Sequence, residues 1–290
     1  MTVISRLSVA LVAILWGFNF VVIRWGLDGM DVVTMTALRF LLTAVPIVFF
    51  IGKPTIPIYV VALYGMLFGC GLWGLVNLAI AFGTPAGFAS LLLQSSAFMS
   101  VIVAWVVFKE DVSKTRLLGV ASAFVGFMII AVFRGDAVPL IGAALLFVAA
   151  GFWTTCNVII RLYKPADVVS FIVWSSMFVP LPLMLFWVGE QILADNNIVS
   201  TLSELELPSL SGWLSIIFQS YVTTLLGYGV WAHAISRYGL ANVAPFSLLV
   251  PLSGLMFGWL LYDEVLGTIE LAGVTLVISG LVALSLPDRA

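Results

Sequence analysis

Charge is what this sequence lacks most. Lys, Arg, Asp and Glu make up only 9% of the 290 residues, against 62% hydrophobic residues and a mean hydropathy of +1.20. Soluble domains carry about a quarter charged residues, so a body of this size could not be covered with them in water. A lipid-facing exterior needs none. Histidine is nearly missing too: His233 stands alone, which excludes a multi-histidine metal centre. The two cysteines, Cys70 and Cys156, lie far apart in apolar runs and form no CxxC, which argues against a structural disulfide or a metal site. No basic arm and no glycine-rich phosphate loop occurs, so neither nucleic acid nor a nucleotide is an expected partner, and no cofactor is expected. There is no cluster of nucleophile and base for an enzyme, and no carboxylate lies midway along any apolar run, where ion-driven carriers commonly place one.

What is present is a series of apolar runs. A spanning helix needs about 20 mainly apolar residues, and ten segments qualify: 7–26, 32–51, 58–82, 86–108, 115–133, 138–161, 168–189, 211–236, 241–262 and 268–286. Met1–Gly26 has the look of a signal peptide. Trp16, Asn19 and Arg24, however, stand where a small-residue cleavage site would lie, so it is read as a retained first span. Loop charge sets the orientation. With the N-terminus cytoplasmic, that side collects Arg6, Lys53, Lys109, Lys114, Arg116, Arg161, Lys164, Arg237 and Arg289, and the other side only Arg24 and Arg134. Both termini are therefore expected in the cytoplasm. The acidic loop 190–210, with Glu190, Asp195, Glu204 and Glu206, is expected outside.

The chain also repeats itself. Asp31-Val32-Val33 and Asp167-Val168-Val169 open the second and seventh runs, each followed fifteen residues on by a proline, Pro46 and Pro182. Glu110, Gly119 and Gly126 share the spacing E-x8-G-x6-G with Glu264, Gly273 and Gly280. Five spans per half is an odd number, so the halves, 1–136 and 137–290, are expected to be inverted relative to each other. Inverted halves are a device of secondary transporters, although they also occur in channels.

Several motifs carry a resemblance: Leu15-Trp16-Gly17-Phe18-Asn19-Phe20, Leu38-Arg39-Phe40, Pro85-Ala86-Gly87-Phe88-Ala89-Ser90-Leu91-Leu92-Leu93-Gln94 and Ala244-Pro245-Phe246-Ser247-Leu248-Leu249-Val250-Pro251, with Glu110 and Glu264 closing the repeats. Along its whole length the chain resembles the EamA-type branch of the drug/metabolite transporter superfamily. It is most similar to members assigned to export of cysteine, O-acetylserine and related amino-acid metabolites. The resemblance implies an all-α membrane protein of ten transmembrane helices in a bacterial inner membrane. It also implies alternating access around a cavity lined by helices 1, 3, 4, 6, 8 and 9, with a small metabolite as partner, membrane lipid around it, and no obligate protein partner. A drug or quaternary-amine exporter of the same superfamily is an alternative, although the intramembrane glutamate expected of it in helix 1 is missing. A passive channel is another.

Candidate substrate-binding residues follow from polarity inside apolar runs. Arg39 is the only charge well inside a span, with Thr36 and Thr43 on the same helix face. It suits either recognition of a carboxylate or a structural arginine bonding Asp31 or backbone carbonyls. Asn19 and Asn157 occupy comparable places in the two halves, with Trp16 one turn before Asn19, and an amide can serve both ends of a zwitterion. Asn77 corresponds to Trp231 in the repeat. Tyr221, Thr224, Tyr228 and Trp231 would share one face of a regular helix, and aromatic faces also attract cations. Ser90 and Gln94 stand one turn apart. Pro245 and Pro251, and Gly65, Gly69, Gly71 and Gly74, are places where helices can bend or approach closely. His233, near Arg237, reads as an interfacial histidine. Glu110 and Glu264 read as structural residues stabilising the start of the next helix.

Overall fold

The computed structural model describes residues 1–133, 139–193 and 208–285. Arg134, most of the acidic loop with Asp195, Glu204 and Glu206, and Arg289 therefore lie outside the described residues. Among the described residues every regular element is a helix. In chain order they are α1 (Val3–Leu27), α2 (Val32–Phe49), α3 (Ile58–Ala81), α4 (Ala86–Val106), α5 (Lys114–Phe133), α6 (Leu140–Tyr163) and α7 (Val168–Leu193). They continue as α8 (Leu210–Ile217, Phe218–Leu226 and Gly227–Tyr238), a single helical turn at Leu240–Val243, α9 (Ala244–Tyr262) and α10 (Thr268–Ser285). Seven of them, all but α5, α8 and α10, are long and apolar enough to cross a membrane by length and composition.

Short polar side chains start these helices by accepting from otherwise orphaned amides. Thr2 accepts from Ser5 N at 3.2 Å ahead of α1, and Asp31 from Thr34 N at 2.9 Å ahead of α2. Asp167 accepts from Val169 N and Ser170 N ahead of α7. The repeated Asp-Val-Val is thus a repeated helix cap, and Asp31 is occupied there rather than by Arg39. Pro46 ends the α-helical part of α2 at Ala44. The segment 168–189, expected as one helix, is interrupted at Met177–Val179 just before Pro180.

Two further departures from regular α-helix bear on the site. Met66–Gly74 in α3 and Phe218–Leu226 in α8 are π-helical for nine residues each. Such wide turns are rare and cluster at functional sites.

In lipid the hydrophobic effect does not drive helix against helix, so contact depends on close backbone approach. The seam between α5 and α10 is made this way. A Cβ on Gly119 would lie 2.9 Å from the Gly280 carbonyl, and one on Gly126 would lie 2.6 Å from that of Gly273. The first glycine of each E-x8-G-x6-G motif meets the second glycine of the other. A larger cluster of Phe20, Ile23, Met35, Phe40, Tyr64, Phe68 and Phe171 fills the body between α1, α2, α3 and α7. Outside, large apolar side chains such as Phe50 and Val265 stand exposed, a belt that a water-soluble protein does not carry.

Candidate substrate site

The half-buried aromatic residues lie where α1 meets α8. Trp16 donates its indole N–H to the Thr223 carbonyl at 2.8 Å, and its ring lies 5.2 Å from Tyr228 and 5.1 Å from Trp231. Phe68 of α3 and Trp153 of α6 complete the aromatic wall, 5.7 and 6.2 Å from Tyr228. Three of the four sequence-predicted aromatics, Trp16, Tyr228 and Trp231, are thus brought together, and four helices share the wall.

The amides divide into two kinds. Asn19 is fully buried one turn from Trp16. Its Oδ1 accepts from Thr223 Oγ1 at 3.4 Å, and its Nδ2 has no partner among the described residues. Gln94 and Asn157 are only half-buried, and neither side chain makes a hydrogen bond among the described residues. They flank the place where Thr154 of α6 donates to the Ser96 carbonyl of α4 at 3.2 Å.

Arg39, Asn77 and Ser90 face helix contacts instead. Arg39 is fully buried, stacked on Trp73 with its guanidinium carbon 4.0 Å from the ring centroid. It donates to Gln219 Oε1 at 3.1 Å and Thr224 Oγ1 at 3.2 Å, its Nε has no partner, and no carboxylate pairs with it among the described residues. Gln219 in turn donates to Ser215, and Ser215 to the Val22 carbonyl, so one chain of bonds joins α2, α8 and α1. Asn77 donates to Thr36 Oγ1 at 2.9 Å, and Ser90 to the Gly87 carbonyl at 2.7 Å. The polar stripe of Thr36, Arg39 and Thr43 is therefore real, but it is turned into the body rather than toward open space.

The expected single face of Tyr221, Thr224, Tyr228 and Trp231 does not form. The π-helical stretch breaks the 3.6-residue period: Thr224 is buried toward Arg39, bonding the Gln219 carbonyl five residues back, while Tyr228 and Trp231 face Trp16. Gln219 and Thr223, which tie these groups together, are not among the candidates the sequence marks. A glutamine one turn after Ser215 inside an apolar run was the available signal.

The two glutamates also differ from expectation. Glu264 does not serve the next helix. It accepts from Ala86 N and Gly87 N at 2.8 and 2.9 Å, capping α4 in the other half, and pairs with Arg24 at 3.2 Å. Glu110 pairs with Arg161. His233 is exposed, as an interfacial residue would be.

A model of the EamA-like transporter family matches this chain twice, over residues 4–132 and 140–286. A "Probable amino-acid metabolite efflux pump" of Salmonella typhimurium (strain LT2) is 35% identical, covering 93% of this chain and 91% of its own length. A protein of the same description from Escherichia coli (strain K12) is 34% identical, with the same coverage of both chains. A solved crystal structure superposes with a TM-score of 0.63 at 15% identity, over 97% of this chain and 98% of that one, a likeness of fold.

Proposed function

The chain belongs to the EamA-like transporter family, and we propose that it exports amino-acid metabolites from the bacterial cytoplasm by alternating access, without covalent chemistry. The observation that carries the substrate class is the match along 93% of the chain to two amino-acid metabolite efflux pumps. In this reading ten spans cross the inner membrane, with α5, α8 and α10 added to the seven. Both termini are cytoplasmic, and the halves 1–136 and 137–290 are inverted copies. The lysine and arginine bias of the loops and the reciprocal glycine contacts of α5 and α10 support that arrangement.

Trp16, Tyr228 and Trp231 form the apolar side of the substrate site. Gln94 and Asn157 offer free amides to a zwitterion's ammonium and carboxylate, and Asn19 holds an unused donor at the inner limit of the site. Arg39 supplies a fixed positive charge behind this wall, without touching substrate, and favours a carboxylate-bearing solute. Asn77 and Ser90 hold the helices that carry the site.

Uptake into inverted vesicles across a panel of radiolabelled amino acids and their acetyl derivatives, with and without a pH gradient, tests the reading. Saturable uptake with trans-stimulation and competition by zwitterions is expected. Flux without trans-stimulation would make the protein a channel. The aromatic wall favours a second reading, export of quaternary amines, and dominant competition by tetraalkylammonium ions would establish it instead.

A further inference from the structure

Two ion pairs between the halves, seen among the described residues, are related by the repeat. Glu110 and Glu264 are equivalent positions of the shared motif, and Arg24 and Arg161 stand at the ends of α1 and α6, the first helix of each half. Each pair joins one half's arginine to the other half's glutamate. The local backbones match as well. Lys109 and Asp263 are both left-handed, with φ of 56° and 51°, and each following glutamate N–H bonds back six residues, to Ala104 and Gly258. A left-handed conformation at a non-glycine residue is uncommon; here, twice, it lies just beyond a helix and immediately precedes the glutamate.

Their surroundings are opposite. Glu264 is 7% exposed, and its carboxylate is spent on Arg24 and on two amides of α4, whose first turns lie along α9. Glu110 is 46% exposed and holds only Arg161 among the described residues. The later part of α4 (Ser95–Val106) packs on α6 with no comparable packing against the start of α9. The seat of Glu264 also needs glycine: a Cβ on Gly258 would lie 2.3 Å from its Oε2, and the repeat-related residue beside Glu110 is Ala104.

We infer that Glu264 and Glu110, each oriented by the other half's arginine, are alternating latches of the transport cycle, with the Arg24–Glu264 end locked and the Arg161–Glu110 end released in this structure. Rocking the halves frees α4 from Glu264 and brings the 240–248 segment onto Glu110. The exchange rests on the alternating-access reading above. With the orientation given there, the locked end lies outside and the released end faces the cytoplasm, the arrangement in which an exporter loads.

The test uses the full chain in lipid nanodiscs, with Cys70 and Cys156 replaced by serine, and two spin-label pairs placed by the same repeat: Phe82→Cys with Val265→Cys, and Ser236→Cys with Asp111→Cys. The first pair is expected short and the second long. Glu264→Gln is expected to lengthen the first and shorten the second, shifting the ratio of the two populations about ten-fold, the scale of a lost charge-assisted bond. Glu110→Gln is expected to shift the ratio the other way. If Glu264→Gln fails to fold, Arg24→Gln keeps the amide bonds and is expected to move the same distances in the same direction by less. Lengthening of both pairs together, or of neither, would reduce the glutamates to ordinary helix caps and overturn the inference. No substrate is needed, so reciprocal distances without export of zwitterions would leave the latches standing and remove the substrate reading. Zwitterion export with unmoved distances would do the reverse.

Discussion

Thr223 serves Trp16 through its carbonyl, at 2.8 Å, while its hydroxyl reaches Asn19 and the Gln219 carbonyl. A single residue of α8 thereby fixes two candidate site residues of α1. Its neighbour Gly227 leaves room for the indole, since a Cβ there would lie 2.7 Å from Trp16 Nε1.

Gly227→Ala is therefore expected to displace the Trp16 ring and raise the KM for the exported metabolite about ten-fold, with little loss of stability. Trp16→Ala is expected to do the same or more. Counterflow in proteoliposomes measures both. An unchanged KM in the two variants would remove the aromatic wall from the site.

Gln94→Ala and Asn157→Ala remove amides that no other side chain among the described residues uses. Each is expected to leave thermal stability within about 0.5 kcal/mol, as for substitutions away from packing and buried bonds, while lowering transport. A lowered melting temperature with normal transport would mark them as structural residues.

Arg39→Met leaves Gln219 and Thr224 without their buried donor and is expected to destabilise the fold by about 1–3 kcal/mol, read as a lower Tm in detergent. The same change removes the fixed charge behind the wall. Competition is expected to move from zwitterions toward organic cations. Loss of stability with unaltered competition would leave Arg39 only its structural bonds.

Cysteine substitution at Lys53 and Arg237 is expected to give labelling by a membrane-impermeant maleimide from the same face of the bilayer, and at Val265 from the opposite face. Labelling of Lys53 and Arg237 from different faces would break the inverted topology.

Much of this was legible before any coordinates. Helix caps at Asp31 and Asp167, the glycine spacings and the isolated polar residues are local signals, and local chemistry leaves a mark in sequence. Arg24 and Arg161 show in the sequence as loop charges, because their partners are 240 and 51 residues away and the pairing arises from how the halves meet. The face drawn through Tyr221, Thr224, Tyr228 and Trp231 failed because it assumed 3.6 residues per turn across a stretch that winds more widely. Arg39 left two roles open, and it took the fold to show Gln219 and Thr224 as its partners rather than Asp31.

The wide windings of α3 and α8 set the angular phase of everything beyond them. Each residue of an ordinary α-helix advances the chain by about 100°. Trimming one residue from Phe218–Leu226 without rewinding the others would swing Tyr228 and Trp231 about a quarter-circle away from Trp16, while Gln219 kept its hold on Arg39. Within α8, those nine residues work as a mechanical clocking that lets one helix address two differently aimed neighbours.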